Sequence, residues 1–289
     1  MGTLMRLLGV LAALVLPVTA WAGDSVDVLY AGSLVNMMEH SIGPAFDKSS
    51  GDTFQGFAGG SKGLANEIKG KLRRGDVFLS ASPAVNKSLM GAANGDWVSW
   101  YVQFAASPLV IGYNPASKFA NDLRTKPWYQ VMEEPGIRIG RTDPKLDPKG
   151  SLTLTMFREA ETYYKQPDLR QRILGAPENP AQVLPEETLV GRLQSGQLDV
   201  GFFYSTETAA AKIPPITLPA KITPAAHYTI TILRDAPNAS GATRFVTFLL
   251  GADGRGLMKQ SGLDLVGPKI VGDTNAVPAE IRSLITAGK

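Results

Sequence analysis

The sequence predicts an α/β fold with a mainly parallel sheet, and three observations support this prediction. Short β-prone runs alternate with segments whose apolar residues recur at helical spacing, as a sheet with crossover helices requires. Two of the runs end in a turn of glycine and serine that leads directly into a helix. The 289 residues, 44% apolar and 19% charged, are typical of one large globular domain or two modest ones.

The predicted elements follow one another in a regular order. β-branched and aromatic residues form short runs bounded by turn residues, which is typical of strands. Apolar residues recur four positions apart at Leu64, Ile68 and Leu72, and Pro185 followed by acidic residues is a helix-start pattern. The predicted strands lie at 26–30, 53–57, 76–80, 109–113, 137–140, 199–204 and 228–233. The predicted helices lie at 34–42, 64–72, 151–164, 186–193 and 243–250, with another around Leu257.

Residues 1–22 are predicted to be a cleavable signal peptide that lies outside the fold. Arg6 precedes a short apolar run, and Ala20 and Ala22 are the small residues that signal peptidase needs. An uncleaved membrane anchor is the alternative, but the run is interrupted by Pro17 and is shorter than a bilayer requires. We therefore expect an exported mature chain with no stable membrane insertion.

The composition excludes several classes of function. The chain has no cysteine, which rules out disulfide scaffolds, thiolate metal sites and cysteine nucleophiles. A net charge of +3 without a basic and aromatic cluster argues against nucleic-acid binding. Because no cysteine follows the cleavage site, a lipid tether is also absent. An untethered exported protein is retained only in an enclosed periplasm, so we expect a periplasmic protein.

The two glycine–serine turns are candidate anion-binding corners. Gly32-Ser33 and Gly60-Ser61 each place small residues and a hydroxyl at the start of a predicted helix, where unpaired N–H groups favour an anion. The alternative is that both serines are ordinary helix N-caps. Carboxylate pairs such as Glu186-Glu187 leave an exported hydrolase as a further alternative, although His40 and His227 are the only histidines available to activate a serine.

Six segments give the chain a resemblance to a known family. They are YAGSL at 30–34, GSKGLA at 60–65, GDV and SAS at 75–82, WYVQFA at 100–105, GRTDPKLDPKG at 140–150, and LQSGQLDVGFFYST at 193–206. In the order and spacing of these segments, the chain resembles the periplasmic molybdate/tungstate-binding proteins of ABC importers, especially the tungstate-type branch. This resemblance implies a type II periplasmic binding protein fold, with two α/β lobes joined by two crossover strands. Lobe 1 would comprise 23–105 and 229–289, and lobe 2 would comprise 106–228.

The resemblance also implies which residues hold the oxyanion. Ser33 and Ser61 would give hydroxyl and backbone N–H groups, Lys149 and the helix start at Glu186 would give backbone N–H groups, and Tyr204 would complete the donors. Gly32, Gly60 and Gly150 would be the supporting turn residues. In the tungstate-type branch an aspartate and a glutamate also bond the metal; Asp147 matches the aspartate, but Phe203 stands where the glutamate is expected. The run around Tyr204 instead resembles the tetrahedral molybdate binders, so the coordination and the role of Asp147 stay open.

These inferences predict a non-enzymatic, periplasmic solute-binding component of an ABC importer. It would capture molybdate or tungstate between its lobes, close by a hinge motion and deliver the anion to an inner-membrane permease. We expect a monomer with no cofactor and no metal site independent of the bound oxyanion. A binding protein for sulfate, phosphate or a small organic acid is the alternative within the same class, and an exported hydrolase is the alternative outside it.

Overall fold

The computed structural model describes residues 24–287, in which nine strands form one continuous sheet. The predicted signal peptide therefore lies outside the described residues. The strands are β1 Ser25–Ala31, β2 Thr53–Gly59, β3 Val77–Ser80, β4 Trp100–Tyr113, β5 Ile139–Gly140, β6 Val200–Tyr204, β7 Pro215–Ile216, β8 Ala225–Ile232 and β9 Asp264–Gly272. Their order in the sheet is β2-β1-β3-β8-β4-β6-β5, with β7 and β9 also paired to β4.

Thirteen α-helices surround this sheet in the described part of the chain. They are α1 Val35–Met37, α2 Gly43–Ser50, α3 Ser61–Lys69, α4 Pro83–Lys87, α5 Ala120–Thr125, α6 Trp128–Val131, α7 Pro148–Tyr163, α8 Leu169–Leu174, α9 Leu189–Gln194, α10 Ser205–Ala210, α11 Ala239–Leu250, α12 Ala252–Gln260 and α13 Ala279–Ala287. Short 3-10 turns lie at Gly32–Leu34, Ala92–Asn94, Glu186–Thr188, Ala220–Ile222 and Thr274–Ala276, and a π-helical turn lies at Met38–Ile42. Within residues 24–287, none of the helices is long and apolar enough to span a bilayer.

Two long strands divide the molecule into two lobes. The first part of β4 pairs with β8 and β9, whereas residues 109–113 of the same strand pair with β6. Strand β8 runs antiparallel to β4 through this crossover and pairs with β3 at its other end. Lobe 1 therefore contains β1, β2, β3 and β9, and lobe 2 contains β5, β6 and β7. The expected α/β fold with two lobes and two crossover strands is confirmed.

The prediction of a mainly parallel sheet is wrong. In the described part of the chain, β1–β2, β1–β3 and β5–β6 are the parallel pairs, and every other pair of named strands is antiparallel. The cause is the pair of crossover strands, which run in opposite directions between the lobes and impose antiparallel pairing on their neighbours. Strand β9 was not predicted, because Gly267 and Pro268 interrupt its apolar pattern; such residues are tolerated at a sheet edge.

A continuous apolar core extends through both lobes. It includes Val28 on β1, Phe104 on β4 and Phe202 on β6, all fully buried. In lobe 1, Phe46 of α2 meets Phe245 of α11 edge to face, with ring centroids 5.1 Å apart. The carboxyl ends of β1 and β2 in lobe 1 and of β6 in lobe 2 carry the polar residues of the candidate site.

Candidate functional site

Lobe 1 contributes the two serine corners. Ser33 lies in the 3-10 turn directly after β1, and Ser61 is the first residue of α3 directly after β2. Because β1 and β2 are parallel neighbours, their carboxyl ends bring both turns to the same edge of the sheet. The N-cap positions are Ala31 and Gly60, and neither serine caps its own helix. The Ser33 hydroxyl lies 3.0 Å from the Tyr228 hydroxyl, and Ser61 Oγ accepts the Ala81 N–H at 3.1 Å.

The glycines beside the two serines allow the lobes to approach each other closely. A Cβ atom at Gly60 would lie 2.7 Å from the Leu146 carbonyl oxygen of lobe 2. A Cβ atom at Gly32 would lie 3.1 Å from Glu186 Oε2. A side chain at Gly60 would therefore push against the backbone of lobe 2, whereas one at Gly32 would require a smaller adjustment of Glu186 and its neighbour. The third glycine of the predicted set, Gly150, is buried in the first turn of α7.

Asp147 is the N-cap of α7 and lies in lobe 2. Its Oδ1 atom accepts the Lys149 N–H at 2.6 Å and the Thr142 hydroxyl at 3.1 Å. The Lys149 N–H that was expected to face the anion is therefore bonded to Asp147 in this structure, as the strong preference of aspartate for the N-cap explains. Within residues 24–287, the buried Asp147 Oδ2 has no hydrogen-bond partner.

The side chain of Lys149 forms a buried network that the sequence did not indicate. Its ammonium, 0% exposed, lies 2.8 Å from Glu207 Oε1 and 3.1 Å from Glu186 Oε1. The other oxygen of Glu207 accepts the Tyr204 N–H at 2.7 Å at the start of α10. One ammonium thus links Glu186, at the start of its 3-10 turn, to the end of strand β6. Among the described residues, the buried Glu186 Oε2 has no hydrogen-bond partner.

Two buried tyrosines complete the cluster. Tyr204 ends β6, and its hydroxyl is buried without a hydrogen-bond partner in the described chain. Tyr228, on crossover strand β8, lies with its ring centroid 6.1 Å from that of Tyr204 in an edge-to-face arrangement. Burial, followed by nearby carboxylates that include Glu186 and Glu207, raises the pKa of both phenols well above the usual range. Both tyrosines are therefore neutral hydrogen-bond donors at pH 7.

The carboxylates outnumber the ammonium groups in this cluster. Burial and the adjacent Glu186 carboxylate raise the pKa of Asp147 well above its usual range. Burial raises the pKa of Glu207 to about 7, even though the Lys149 ammonium favours its ionised form. Burial alone would lower the pKa of Lys149, but Glu207, Glu186 and Asp147 together raise it, so this side chain remains charged. Protonation of the Asp147 and Glu207 carboxylates therefore stabilises the folded, ligand-free protein.

The ligand-free protein is expected to become more stable as the pH falls from about 7 to about 5. The pKa of Glu207 is about 7 in the folded protein, above its ordinary value of 4.5. Between these two pH values the folded state therefore holds a proton that the unfolded state has released. The resulting stabilisation is complete below the unfolded value and is lost as the pH rises through about 7; its size is on the order of 3 kcal/mol. Asp147 acts in the same direction.

Thermal melts across this pH range measure the effect. Glu207→Gln should make the pH dependence of the melting temperature shallower, because the substituted side chain no longer titrates and only the contribution of Asp147 remains. A wild-type melting temperature that falls steadily with acidification over this range, in parallel with that of Glu207→Gln, would contradict the assignment.

Two cavities open on either side of the cluster. One, of about 300 Å³, is lined by Ser33, Glu186 and Glu207, and the other, of about 370 Å³, is lined by Gly60, Asp147 and Glu186. Glu186 lines both cavities, so the hydroxyl of Ser33 on one side and the Asp147 carboxyl group on the other face spaces that meet at this side chain. Such a site can hold a compact ligand that accepts hydrogen bonds at its periphery and binds carboxylate oxygens at its centre.

Tyr228, Glu207 and the ammonium of Lys149 are the parts of the cluster that the sequence did not reveal. Ser33, Asp147, Lys149, Glu186 and Tyr204 lie in or beside it. Ser61 directly follows Gly60, whose Cβ position lies 3.3 Å from Asp147 Cβ. The histidines lie outside the hydrogen-bonded cluster. His40 is exposed and lines the cavity of about 300 Å³ together with Ser33, but the Ser33 hydroxyl is paired with Tyr228. His227 is exposed, and its ring lies 3.4 Å from the side-chain amide of Gln103.

Comparison with known proteins places the chain in a family. The family described as "Bacterial extracellular solute-binding protein" matches residues 26–264. The molybdate/tungstate-binding protein WtpA of Thermococcus kodakarensis is 25% identical over 310 residues, covering 89% of this chain and 86% of that protein. A putative ABC transporter molybdenum-binding protein of Haloferax volcanii is 29% identical over 199 residues, covering 68% of this chain and 61% of that protein.

Solved structures agree on the fold. The periplasmic molybdate-binding protein of Azotobacter vinelandii matches with a TM-score of 0.63 at 18% identity, covering 84% of this chain and 99% of that chain. The sulfate-binding protein SubI of Mycobacterium tuberculosis matches with a TM-score of 0.63 at 15% identity, covering 92% of both chains. The architecture is that of type II periplasmic binding proteins, and the chain belongs to the bacterial extracellular solute-binding protein family.

Proposed function

We propose that this protein is the binding component of an ABC importer and captures molybdate or tungstate between its lobes. One observation carries the proposal: three of the buried side-chain atoms that lack a hydrogen-bond partner in the described chain belong to the residues of this one cluster. They are Asp147 Oδ2, Glu186 Oε2 and the hydroxyl of Tyr204. Buried polar atoms are normally satisfied, so this set indicates a ligand. The relatives named as molybdate/tungstate-binding and molybdenum-binding proteins support the same ligand class.

The chemistry of the unpartnered atoms selects the kind of ligand. Tyr204, Ser33 and Ser61 offer hydroxyl donors to the outer oxygens of an oxyanion. Carboxylate oxygens repel those outer oxygens, unless they bond the central atom or accept a proton from the anion. Molybdenum and tungsten can expand their coordination to accept two carboxylate oxygens, whereas sulfur in sulfate cannot. The paired carboxylates therefore favour molybdate or tungstate over sulfate.

Glu186 takes the place of the glutamate that the sequence lacks at Phe203. It reaches the site from a different element, and its carboxyl group is adjacent to that of Asp147. We propose that these two side chains complete an octahedral shell around the metal of the oxyanion. Lys149, held by Glu186 and Glu207, would offset part of the negative charge.

Calorimetric titration with four anions tests the proposal. Molybdate and tungstate should bind with sub-micromolar dissociation constants, and sulfate and phosphate should bind at least about 100-fold more weakly, a difference of about 2.7 kcal/mol. Hydrogenphosphate is the most informative competitor, because it carries a proton that it could donate to the Asp147 carboxylate. Binding of phosphate alone would show that the ligand is phosphate and not molybdate or tungstate. Binding of sulfate as tight as that of molybdate would show that the carboxylates do not discriminate between these anions.

Ser61→Ala should weaken oxyanion binding by about 10- to 150-fold, the effect of losing one hydrogen bond to a charged acceptor. Ser61 Oγ already accepts the Ala81 N–H, so its hydroxyl proton is available to a ligand. Ser49→Ala is the matched control, because Ser49 donates to Phe46 O at the far end of α2. Titration of both variants with molybdate checks the prediction, and equal affinities would place the site elsewhere.

The remaining features of the importer component are proposed together. The mature protein would be a periplasmic monomer released from the signal peptide 1–22 and would dock on an inner-membrane permease. Lobe boundaries at 23–105, 106–228 and 229–289 are proposed on the course of β4 and β8. A hydrolase is disfavoured, because the Ser33 hydroxyl is paired with Tyr228 and not with His40, which lines the same cavity. Ser61 Oγ accepts the Ala81 N–H, and the His227 ring lies beside Gln103.

A further inference from the structure

A lysine next to the serine corner reaches across the cleft. Lys62 belongs to α3 of lobe 1, yet its ammonium donates to the Pro144 carbonyl oxygen at 2.8 Å and to Ser151 Oγ at 2.6 Å, both in lobe 2. The next residue, Gly63, donates its N–H to the Leu146 carbonyl oxygen at 2.9 Å. These are direct polar bonds between the lobes, made by residues that were not expected to contribute to the site.

The acceptors belong to the segment that carries Asp147. Ser151 also donates to Pro144 O at 2.9 Å, so Lys62 closes a small ring of hydrogen bonds over the turn 143–147. The same turn is held internally by the Asp147 N–H, which donates to Asp143 O at 2.8 Å. A bond from lobe 1 to this turn therefore fixes both the closed arrangement and the position of the Asp147 carboxylate.

We infer that Lys62 is an interlobe latch: a positioning residue that holds the lobes closed by bonding Pro144 and Ser151. The bonds form only when the lobes are together, and their charge-assisted character makes them strong for a partly exposed contact. Their loss should shorten the lifetime of the closed state without removing any ligand-binding group. The predicted effect on ligand release rests on the proposed function, whereas the predicted effect on lobe closure does not.

Interlobe distance measurement tests the latch directly. The chain has no cysteine, so Lys87→Cys on α4 and Arg158→Cys on α7, both exposed, give a unique pair of labelling sites on opposite lobes. Spin-label distances are measured in this double-cysteine parent and in two variants of it, Lys62→Met and the matched control Lys69→Met on the same helix. Each is measured without ligand and with saturating tungstate. Lys62→Met should shift the distribution toward longer distances, and the control should not. Unchanged distributions in both conditions would overturn the latch.

Stopped-flow kinetics separate latching from simple charge attraction. Lys62→Met should release tungstate at least about tenfold faster, with an association rate within about twofold of the parent. Ser151→Ala keeps the charge and removes one acceptor, so it should give a smaller acceleration in the same direction. Unchanged release in both variants, with melting temperatures confirming that they fold, would overturn the proposal. If the parent binds neither tungstate nor molybdate, the proposed function fails, while the distance measurement still decides the latch.

Discussion

Replacing Lys149 with methionine is expected to lower the free energy of unfolding of the ligand-free protein by about 3–5 kcal/mol. The lysine ammonium is fully buried and lies 2.8 Å from Glu207 and 3.1 Å from Glu186. Methionine fills a similar volume but leaves the carboxylates of Glu186 and Glu207, with Asp147 nearby, buried without this cation. Leaving a buried charge without its ion-pair partner is among the most destabilising changes in a protein core. Chemical denaturation at neutral pH measures the loss.

An exposed ion pair provides the matched control. Lys126 lies 2.8 Å from Asp122, a contact as short as that of Lys149, but its side chain is 52% exposed. Lys126→Met should therefore lower the free energy of unfolding far less than Lys149→Met. The double substitution Lys149→Met with Glu207→Gln should recover part of the stability, because it removes one of the stranded charges. A loss for Lys149→Met no larger than that of the control would show that the buried network is not a source of stability.

Asp147→Asn is expected to reduce molybdate and tungstate affinity by about 100-fold or more, equivalent to about 2.7 kcal/mol, without destabilising the ligand-free protein. Asparagine retains the oxygen that accepts the Lys149 N–H and the Thr142 hydroxyl, so the helix cap survives. The lost atom is the unpartnered carboxylate oxygen that we propose as a metal ligand. Glu186→Gln should have a similar effect on affinity. In Asp147→Asn the melting temperature should rise, because one of two adjacent buried carboxylates is removed and the Lys149–Glu186 ion pair is kept.

Opposite changes in affinity and stability distinguish a ligand-binding role from a structural one. Calorimetry with molybdate gives the affinity, and thermal melts of the ligand-free variants give the stability. Asp143→Asn, four residues earlier in the same turn, is the control and should leave affinity within about twofold of wild type. If Asp147→Asn behaved like this control in affinity, Asp147 would serve only as a turn and cap residue.

The serine corners could be predicted from the sequence because their geometry is local. A strand, a glycine–serine turn and a helix follow one another within a few residues at both Ser33 and Ser61. Parallel pairing of the two strands then brings both corners to one edge of the sheet. The prediction needed only the turn pattern and the fold class, whereas the approach of Leu146 and Glu186 to Gly60 and Gly32 is visible only in the structure.

The charged network could not be predicted, because its members are distant in sequence. Lys149 and Glu207 are 58 positions apart, and Ser33 and Tyr228 are 195 positions apart. In the sequence, Glu207 resembles any acidic residue in the first turn of a helix, and Tyr228 resembles any aromatic residue in a strand. Glu186 was expected to contribute a backbone N–H, and its carboxylate became a candidate ligand only when the structure placed it beside Asp147.

The direction of the strands was missed for a related reason. Alternating strands and helices indicate crossover connections, but they do not reveal that β4 and β8 run antiparallel to each other between the lobes. Only the 109–113 part of β4 was predicted as a strand, because its 14 residues include Pro108, which usually marks a strand end. At the crossover Pro108 is accommodated, since β4 changes partners there from β8 to β6.

Anomalous diffraction from crystals grown with tungstate tests the central claim most directly. The tungsten atom should give one strong peak in the cleft, within bonding distance of the Asp147 and Glu186 carboxylates and within hydrogen-bonding reach, through its oxygens, of Ser33, Ser61 and Tyr204. Asp147→Asn crystals should lose that peak under the same conditions. A tungsten peak confined to the outer surface, with the cleft unoccupied, would contradict the account.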